Sequence, residues 1–334
     1  MYFLPVFYAI LQLIAILGIG FLLRRRNFFS SEFFAKLGRL VIRVGLPLYF
    51  VANLRDTDVS SLRDSLVFPP IGVLMVALTV LVSSLVFRLL PVPESDRRAG
   101  VALASFGNSG YMPLTLIEIL PVTIPFVAER FGRDVPVLFV GAYLLGYSPL
   151  LWSAGFFILT GKGRRPKFSQ LITPPIIGII VGLAIPALRI NSIIEDPGLP
   201  LFHLMAAIER VSAITVPMAL VCLGSLLADL ELGEGDRRRY WTMAIGVVGI
   251  RFLILPGLYL LAHRLFNLPE VLSNAHAWVI FLEMHTPTAT NLSVMAAETG
   301  VNRSHAAFTI FLSYVVYLFV MPLYLTLFLS VVAV

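Results

Sequence analysis

The sequence predicts an all-α integral membrane protein, with about ten transmembrane helices set out as two inverted five-helix repeats. Three observations predict it: a composition suited to lipid, apolar runs as long as a bilayer is thick, and a polar, proline-broken stretch that occurs once in each half. Of 334 residues, 58% are hydrophobic and 13% charged, with a mean hydropathy of +0.90. A soluble domain carries about a quarter charged residues. The 25 Lys+Arg exceed the 19 Asp+Glu by a net charge of +6, but they lie in short clusters rather than along one polar face, which argues against a nucleic-acid binder. Cys222 is the single cysteine, so an intramolecular disulfide, a thiol redox pair and a multi-cysteine metal cluster are excluded.

The first apolar run, 4–23, has no basic leader and stops at Arg24-Arg25-Arg26. It therefore reads as a retained span, not a cleaved signal. At about 20 residues per crossing, the runs that follow are 36–54, 66–90, 99–131 (interrupted), 135–160, 170–188, 201–229, 240–266, 276–300 (interrupted) and 304–331. They are too continuously apolar for the alternating strands of a barrel, and only helices otherwise satisfy every backbone polar group in hydrocarbon. Basic residues alternate by loop. Arg24, Arg25, Arg26, Lys36, Arg97, Arg98, Lys162, Arg164, Arg165, Lys167, Arg237, Arg238, Arg239 and Arg303 fall on one side, and Arg55, Arg63, Arg130, Arg133, Arg189 and Arg264 on the other. The richer side is expected to be cytoplasmic, which places both termini outside the cytoplasmic (inner) membrane.

The halves echo each other. Gly45-Leu46-Pro47-Leu48 in the second span has a counterpart in Thr215-Val216-Pro217-Met218 in the seventh, and Asn108 to Pro113 in the fourth answers Thr286 to Asn291 in the ninth. With an odd number of spans per half, the second copy enters the membrane in the opposite sense, the arrangement secondary transporters use. Residues 1–160 form the first repeat, the basic stretch 161–169 the cytoplasmic connection and residues 170–334 the second repeat.

Polar residues inside spans cost free energy in lipid and must face protein, water or a ligand. They concentrate in the two broken spans: Ser105, Asn108, Ser109, Gly110, Pro113, Thr115 and Glu118 in one, Glu283, His285, Thr286, Pro287, Thr288, Thr290 and Asn291 in the other. Prolines also kink ordinary membrane helices, and Ser, Thr and Asn glue them together. Breaks at matching repeat positions point instead to a transport site, where half-helix N-termini favour an anion and freed carbonyls a cation.

The run Phe106-Gly107-Asn108-Ser109-Gly110-Tyr111-Met112-Pro113-Leu114, the stretch Glu283 to Asn291, the tail Ala296, Glu298, Thr299, Gly300, the opening Gly18 to Arg25 and Arg251 to Pro256 together resemble the auxin efflux carrier family, over nearly the whole chain. The resemblance implies alternating access by a transport domain (66–160 and 239–334) moving against a scaffold (1–65 and 170–230). It also implies a small organic anion of the carboxylate class as substrate. Asn108, Ser109, Tyr111, Pro113, Thr286, Pro287, Thr288, Asn291 and Arg251 are the expected substrate residues, and both asparagines are expected to bind without supporting the fold. The plant exporters' long cytoplasmic loop is missing, which makes auxin itself a poor guess. Bile acid and sodium symporters share the architecture, and Glu283 is similar to their sodium-binding glutamate. A sodium ion at Glu283 with hard oxygens around it, and a proton carried by Glu283, Glu118 or His285 with Thr290 nearby, stand as alternatives for a coupling ion. No other cofactor is expected.

Two further classes fit less well. An intramembrane metalloenzyme would need ligands spaced i, i+3 or i+4, and Glu283-x-His285 lacks that spacing. A channel would need a continuous pore. Arg43 is expected to snorkel to the interface and Glu209 to serve structure. Gly178 and Gly182 form a small-xxx-small pair, either packing within the protomer or forming a homodimer seam.

Overall fold

The computed structural model describes residues 2–161, 173–229, 237–265, 273–299 and 303–332, all helices and connections apart from a single two-residue bridge. The linking stretch 162–169 and Gly300 lie outside the described residues. Helices α1 Phe3–Arg25, α2 Ser31–Leu40, α3 Leu46–Leu54, α4 Val59–Ser65, α5 Phe68–Leu89, α6 Glu94–Ser105, α7 Tyr111–Thr123, α8 Pro125–Phe131, α9 Asp134–Leu150 and α10 Phe156–Thr160 make up the first half. The second contains α11 Pro174–Ala187, α12 Asn191–Ile194, α13 Pro200–Ala228, α14 Arg237–Gly249, α15 Leu255–Leu265, α16 Asn274–Met284, α17 Asn291–Thr299 and α18 Arg303–Val332. Side-chain oxygens cap three starts: Ser30 accepts from the Phe33 amide, Asp58 from Ser61 and Ser273 from His276, each meeting an amide the helix leaves unpaired.

Among the described residues, seven helical stretches are long and apolar enough to cross a membrane: Phe3–Arg25, Ser31–Leu54, Ser60–Leu89, Asp134–Thr160, Pro200–Ala228, Arg238–Ala262 and Ser304–Val331. Three of them contain a π turn, at Val41–Gly45, Leu151–Gly155 and Ile250–Ile254. The expected sixth span is shorter, an apolar helix of 14 residues. The fourth departs from expectation in its outer part. Rather than continuing to residue 131, the chain turns by 117° between α7 and α8, because Pro125 denies Pro121 and its neighbours a continuing hydrogen-bond ladder and holds Ile124 extended.

Small residues set the closest helix contacts. A Cβ on Gly20 of α1 would lie 1.9 Å from the Val221 carbonyl oxygen, and one on Gly224 of α13 would lie 2.0 Å from that of Leu17, so α1 and α13 meet backbone to backbone. Gly178 and Gly182 of α11 press on Pro47 and Phe50 of α3, which uses this pair inside the protomer. Gly45 sits against Thr215, and the two proline-bearing stretches matched by sequence are therefore neighbours in space. Ion pairs tie helix ends together: Arg24 with Asp229 at 2.6 Å, Arg55 with Glu209, and Arg239 with the fully buried Asp96 at 2.9 Å.

Candidate functional site

Two helices stop short, and their loose ends cross. After α6 the backbone turns extended at Phe106, and after α16 it leaves the helix at His285. Gly107 and Thr288 pair in an antiparallel bridge, with the Asn108 amide donating to the Pro287 carbonyl at 2.7 Å and the Ala289 amide to the Phe106 carbonyl at 2.9 Å. Each break thus satisfies the other's backbone, which non-helical chain at membrane depth requires. Side chains complete the set: the Tyr147 hydroxyl donates to the Gly107 carbonyl, and the Thr288 amide to the Ser313 hydroxyl at 3.2 Å.

Arg251, on the third π turn, binds both helix ends at once. It is buried, and its guanidinium donates to the Ala104 carbonyl at 2.7 Å, the Thr286 carbonyl at 2.7 Å and the Thr286 hydroxyl at 2.9 Å. A cation belongs there, since the C-terminal ends of α6 and α16 present unpaired carbonyls and negative partial charge. Thr79 donates to the neighbouring Ser105 carbonyl at 3.1 Å. Gly107 makes room: a Cβ on it would fall 2.0 Å from an Arg251 nitrogen and 2.0 Å from the Thr286 hydroxyl.

Two cavities border the crossing. The larger, about 150 Å³, lies where α7 and α17 begin, and Asn108, Ser109, Tyr111, Thr290 and Asn291 line it. Leu46 and Phe50 of α3, Ile176 of α11 and Tyr147 and Trp152 from the α9 segment close it. The smaller, about 20 Å³, touches Arg251, Glu283, Ser109, Tyr143 and Tyr147 and has room for about one water.

The expected substrate residues divide accordingly. Asn108, Ser109, Tyr111 and Asn291 meet at the larger cavity, together with Thr290, whereas Arg251 lines only the smaller. Thr286 is engaged by Arg251, Pro287 contributes its carbonyl to the bridge, and Pro113 is buried within α7. The Thr288 hydroxyl is buried with no hydrogen-bond partner among the described residues. The two asparagines differ. Asn108 donates to the Tyr314 hydroxyl and accepts from the Tyr111 amide at 3.4 Å, so it also supports the fold. The Asn291 amide is partly exposed and makes no hydrogen bond among the described residues.

The expected coupling residues are separated. Both carboxylate oxygens of Glu283 are buried without a hydrogen-bond partner among the described residues, and the Ser109 hydroxyl faces them. Glu118, on α7, faces the Tyr49 hydroxyl of α3. His285 packs at a tilt against Phe281 and Tyr324, bonds the Phe281 carbonyl through Nδ1 at 2.7 Å, and lines neither cavity. Tyr147, Tyr314 and Ser313 were missed. Their polar atoms inside apolar spans were the available signal.

Two mutually paired helix breaks inside a bundle of apolar helices are the arrangement that membrane transporters use. The membrane transport protein family matches this chain over residues 5–170 and 163–325, and the chain belongs to that family. It is 24% identical over 325 residues to an uncharacterized transporter of Methanothermobacter thermautotrophicus, covering 94% of this chain and 96% of that protein. It is also 25% identical over 170 residues to the protein PIN-LIKES 7 of Arabidopsis thaliana, covering 49% of this chain and 42% of the relative. The likeness to auxin efflux carriers read from the motifs thus extends to named relatives.

Proposed function

We propose that this protein is a secondary transporter that carries a small organic anion of the carboxylate class across the cytoplasmic membrane by alternating access. The observation that carries the reading is the larger cavity. It lies at the N-terminal ends of two half-helices, each equivalent to roughly half a positive charge, with the Asn291 amide free to donate. A cavity of about 150 Å³ is the size that admits benzene in an apolar core, which suits a small mono- or dicarboxylate. Its lining combines residues of α3 and α11 with residues of α9 and the crossing. A lining drawn from both groups is what a site between a scaffold (residues 1–65 and 170–230) and a moving body (66–160 and 239–334), built as two inverted five-helix repeats, would have.

For coupling, we favour a proton over sodium. A sodium site takes several hard oxygens, and Arg251 already engages the freed carbonyls of Ala104 and Thr286. Glu283, left without a partner in a water-sized cavity, is then the group to hold a proton, because an isolated buried carboxylate is costly. A sodium-coupled organic-acid symporter is the alternative.

The test is uptake of a carboxylate panel into proteoliposomes under imposed proton or sodium gradients, for wild type, Asn291→Ala and Glu283→Gln. The expectation is gradient-driven uptake by wild type, loss of substrate binding in Asn291→Ala and loss of proton dependence in Glu283→Gln. Sodium-driven uptake that vanishes in Glu283→Gln would establish the alternative.

A further inference from the structure

Away from the crossing, one cleft gathers three guanidinium groups against a single carboxylate. Arg88 of α5 and Arg97 and Arg98 of α6 line it, with Glu94 as the single carboxylate. Glu94 is committed to Arg97 at 2.9 Å. Arg98 lies against the end of α10, donating to the Phe157 carbonyl at 3.1 Å. Arg88 has no hydrogen bond or ion pair among the described residues, and the Arg97 Nε is buried without a partner. Among the described residues, Arg88 thus keeps its donors unused, and Arg97 keeps its Nε unpaired beside its bond to Glu94.

The wall above them changes character along its length. Val80, Ser84 and Arg88 are spaced four residues apart on α5 and line the cleft together with Val101 and Ile158. They run about 12 Å along the helix, most of the roughly 15 Å depth of one hydrocarbon leaflet. The adjoining stripe Leu81, Leu85 and Leu89 is exposed, as a lipid-facing surface is. The wall is apolar at its deep end and cationic at its mouth, and the basic-loop rule puts that mouth on the cytoplasmic side, where anionic lipid is enriched.

We propose that this cleft is a binding site for one anionic phospholipid, its phosphate held by Arg88 and Arg97 and an acyl chain laid along Val80, Ser84 and Ile158. All three helices lining the cleft belong to the half of the molecule proposed to move. A lipid seated there would hold the transport body at the membrane surface and tie its motion to lipid composition.

The test uses the whole purified protein in a neutral detergent, with native mass spectrometry counting bound lipid and thermal unfolding measuring its effect. The probes are dioleoyl phosphatidylglycerol, dioleoyl phosphatidylcholine and inorganic phosphate. Phosphatidylglycerol is expected to be retained as one tight copy and to raise the melting temperature, with no such effect from the other two. Each basic side chain near the surface contributes about 1 kcal/mol to such binding, so Arg88→Gln with Arg97→Gln should weaken retention about thirtyfold, which is about 2 kcal/mol. Arg88→Gln alone removes no internal bond and should fold normally with about fivefold weaker retention, so a misfolded double variant would not leave the question open. Equal stabilisation by inorganic phosphate would mean a free-anion site and overturn the proposal. Unchanged retention by Arg88→Gln would mean non-specific lipid and overturn it as well.

Discussion

Arg251 and Gly107 depend on each other at the atomic level. The guanidinium fork spans two helix ends only because residue 107 has no Cβ. Gly107→Ala should therefore push Arg251 or Thr286 out of place and cost about 1–3 kcal/mol, the usual range for overpacking, read as a lower melting temperature in detergent. Arg251→Gln should cost on the order of 3 kcal/mol or more, since each hydrogen bond from a charged group contributes about 1.5–3 kcal/mol. Arg251→Lys, a point charge without the planar fork, should fall between wild type and Gln. The asparagines separate by the same reasoning. Asn108→Ala should lose about 1–2 kcal/mol with its bonds to Tyr314 and Tyr111, while Asn291→Ala should unfold like wild type. Sequence made both asparagines visible because an amide inside an apolar span is conspicuous. It could not separate them, because the partner that distinguishes Asn108 is Tyr314, far along the chain in α18.

Among elements, the breaks were legible and their surroundings less so. Pro113 and Pro287 with nearby glycine and threonine announce an interrupted helix in each half, and both interruptions fall where expected. The turn into α8 was hidden, because Ile124 to Ala128 prolong the apolar run before Glu129 and Arg130 and only local proline geometry diverts it. The π turn that carries Arg251 left no signature either. A polar side chain in span eight could have faced substrate, a carboxylate or a helix end, and only tertiary packing chooses. The α1 and α13 contact offers a clean test. Gly20→Val would drive a side chain into the Val221 carbonyl, a backbone atom that no rotamer can move aside. A loss of stability above the roughly 1–3 kcal/mol of ordinary overpacking is expected. Gly18→Ala, where nothing lies within 4 Å, is the control and should be neutral or gain about 0.5–1 kcal/mol from helix propensity. Equal losses in both variants would mean that α1 does not dock on α13 this way.

For the whole molecule, charge, connectivity and ion pairing bear on one question, which face of the protein meets the cytoplasm. The Arg24 and Asp229 pair brings the C-terminal ends of α1 and α13 together, and the Arg55 and Glu209 pair joins the end of α3 to α13 about five turns earlier. The two pairs therefore mark two levels of α13, its C-terminal end and a point about a third of the way from its start, separated by about 30 Å at 1.5 Å per residue, which is the thickness of the hydrocarbon core. Arg24, Arg25 and Arg26 crowd the first end. The basic-residue excess then predicts that this end is cytoplasmic. In a Cys222→Ser background, Asn27→Cys, just past α1, should resist a membrane-impermeant thiol reagent applied to intact cells and react after permeabilisation. Ser192→Cys, exposed on α12 at the other level, should react in both conditions. The reverse pattern would invert the topology and move the arginine cleft to the outer leaflet, while leaving the crossing and its cavities as they are. Labelling of both positions from outside would be more damaging, because Asn27 lies near the Arg24 and Asp229 level and Ser192 near the Arg55 and Glu209 level, and the two cannot share a face if α13 spans the membrane.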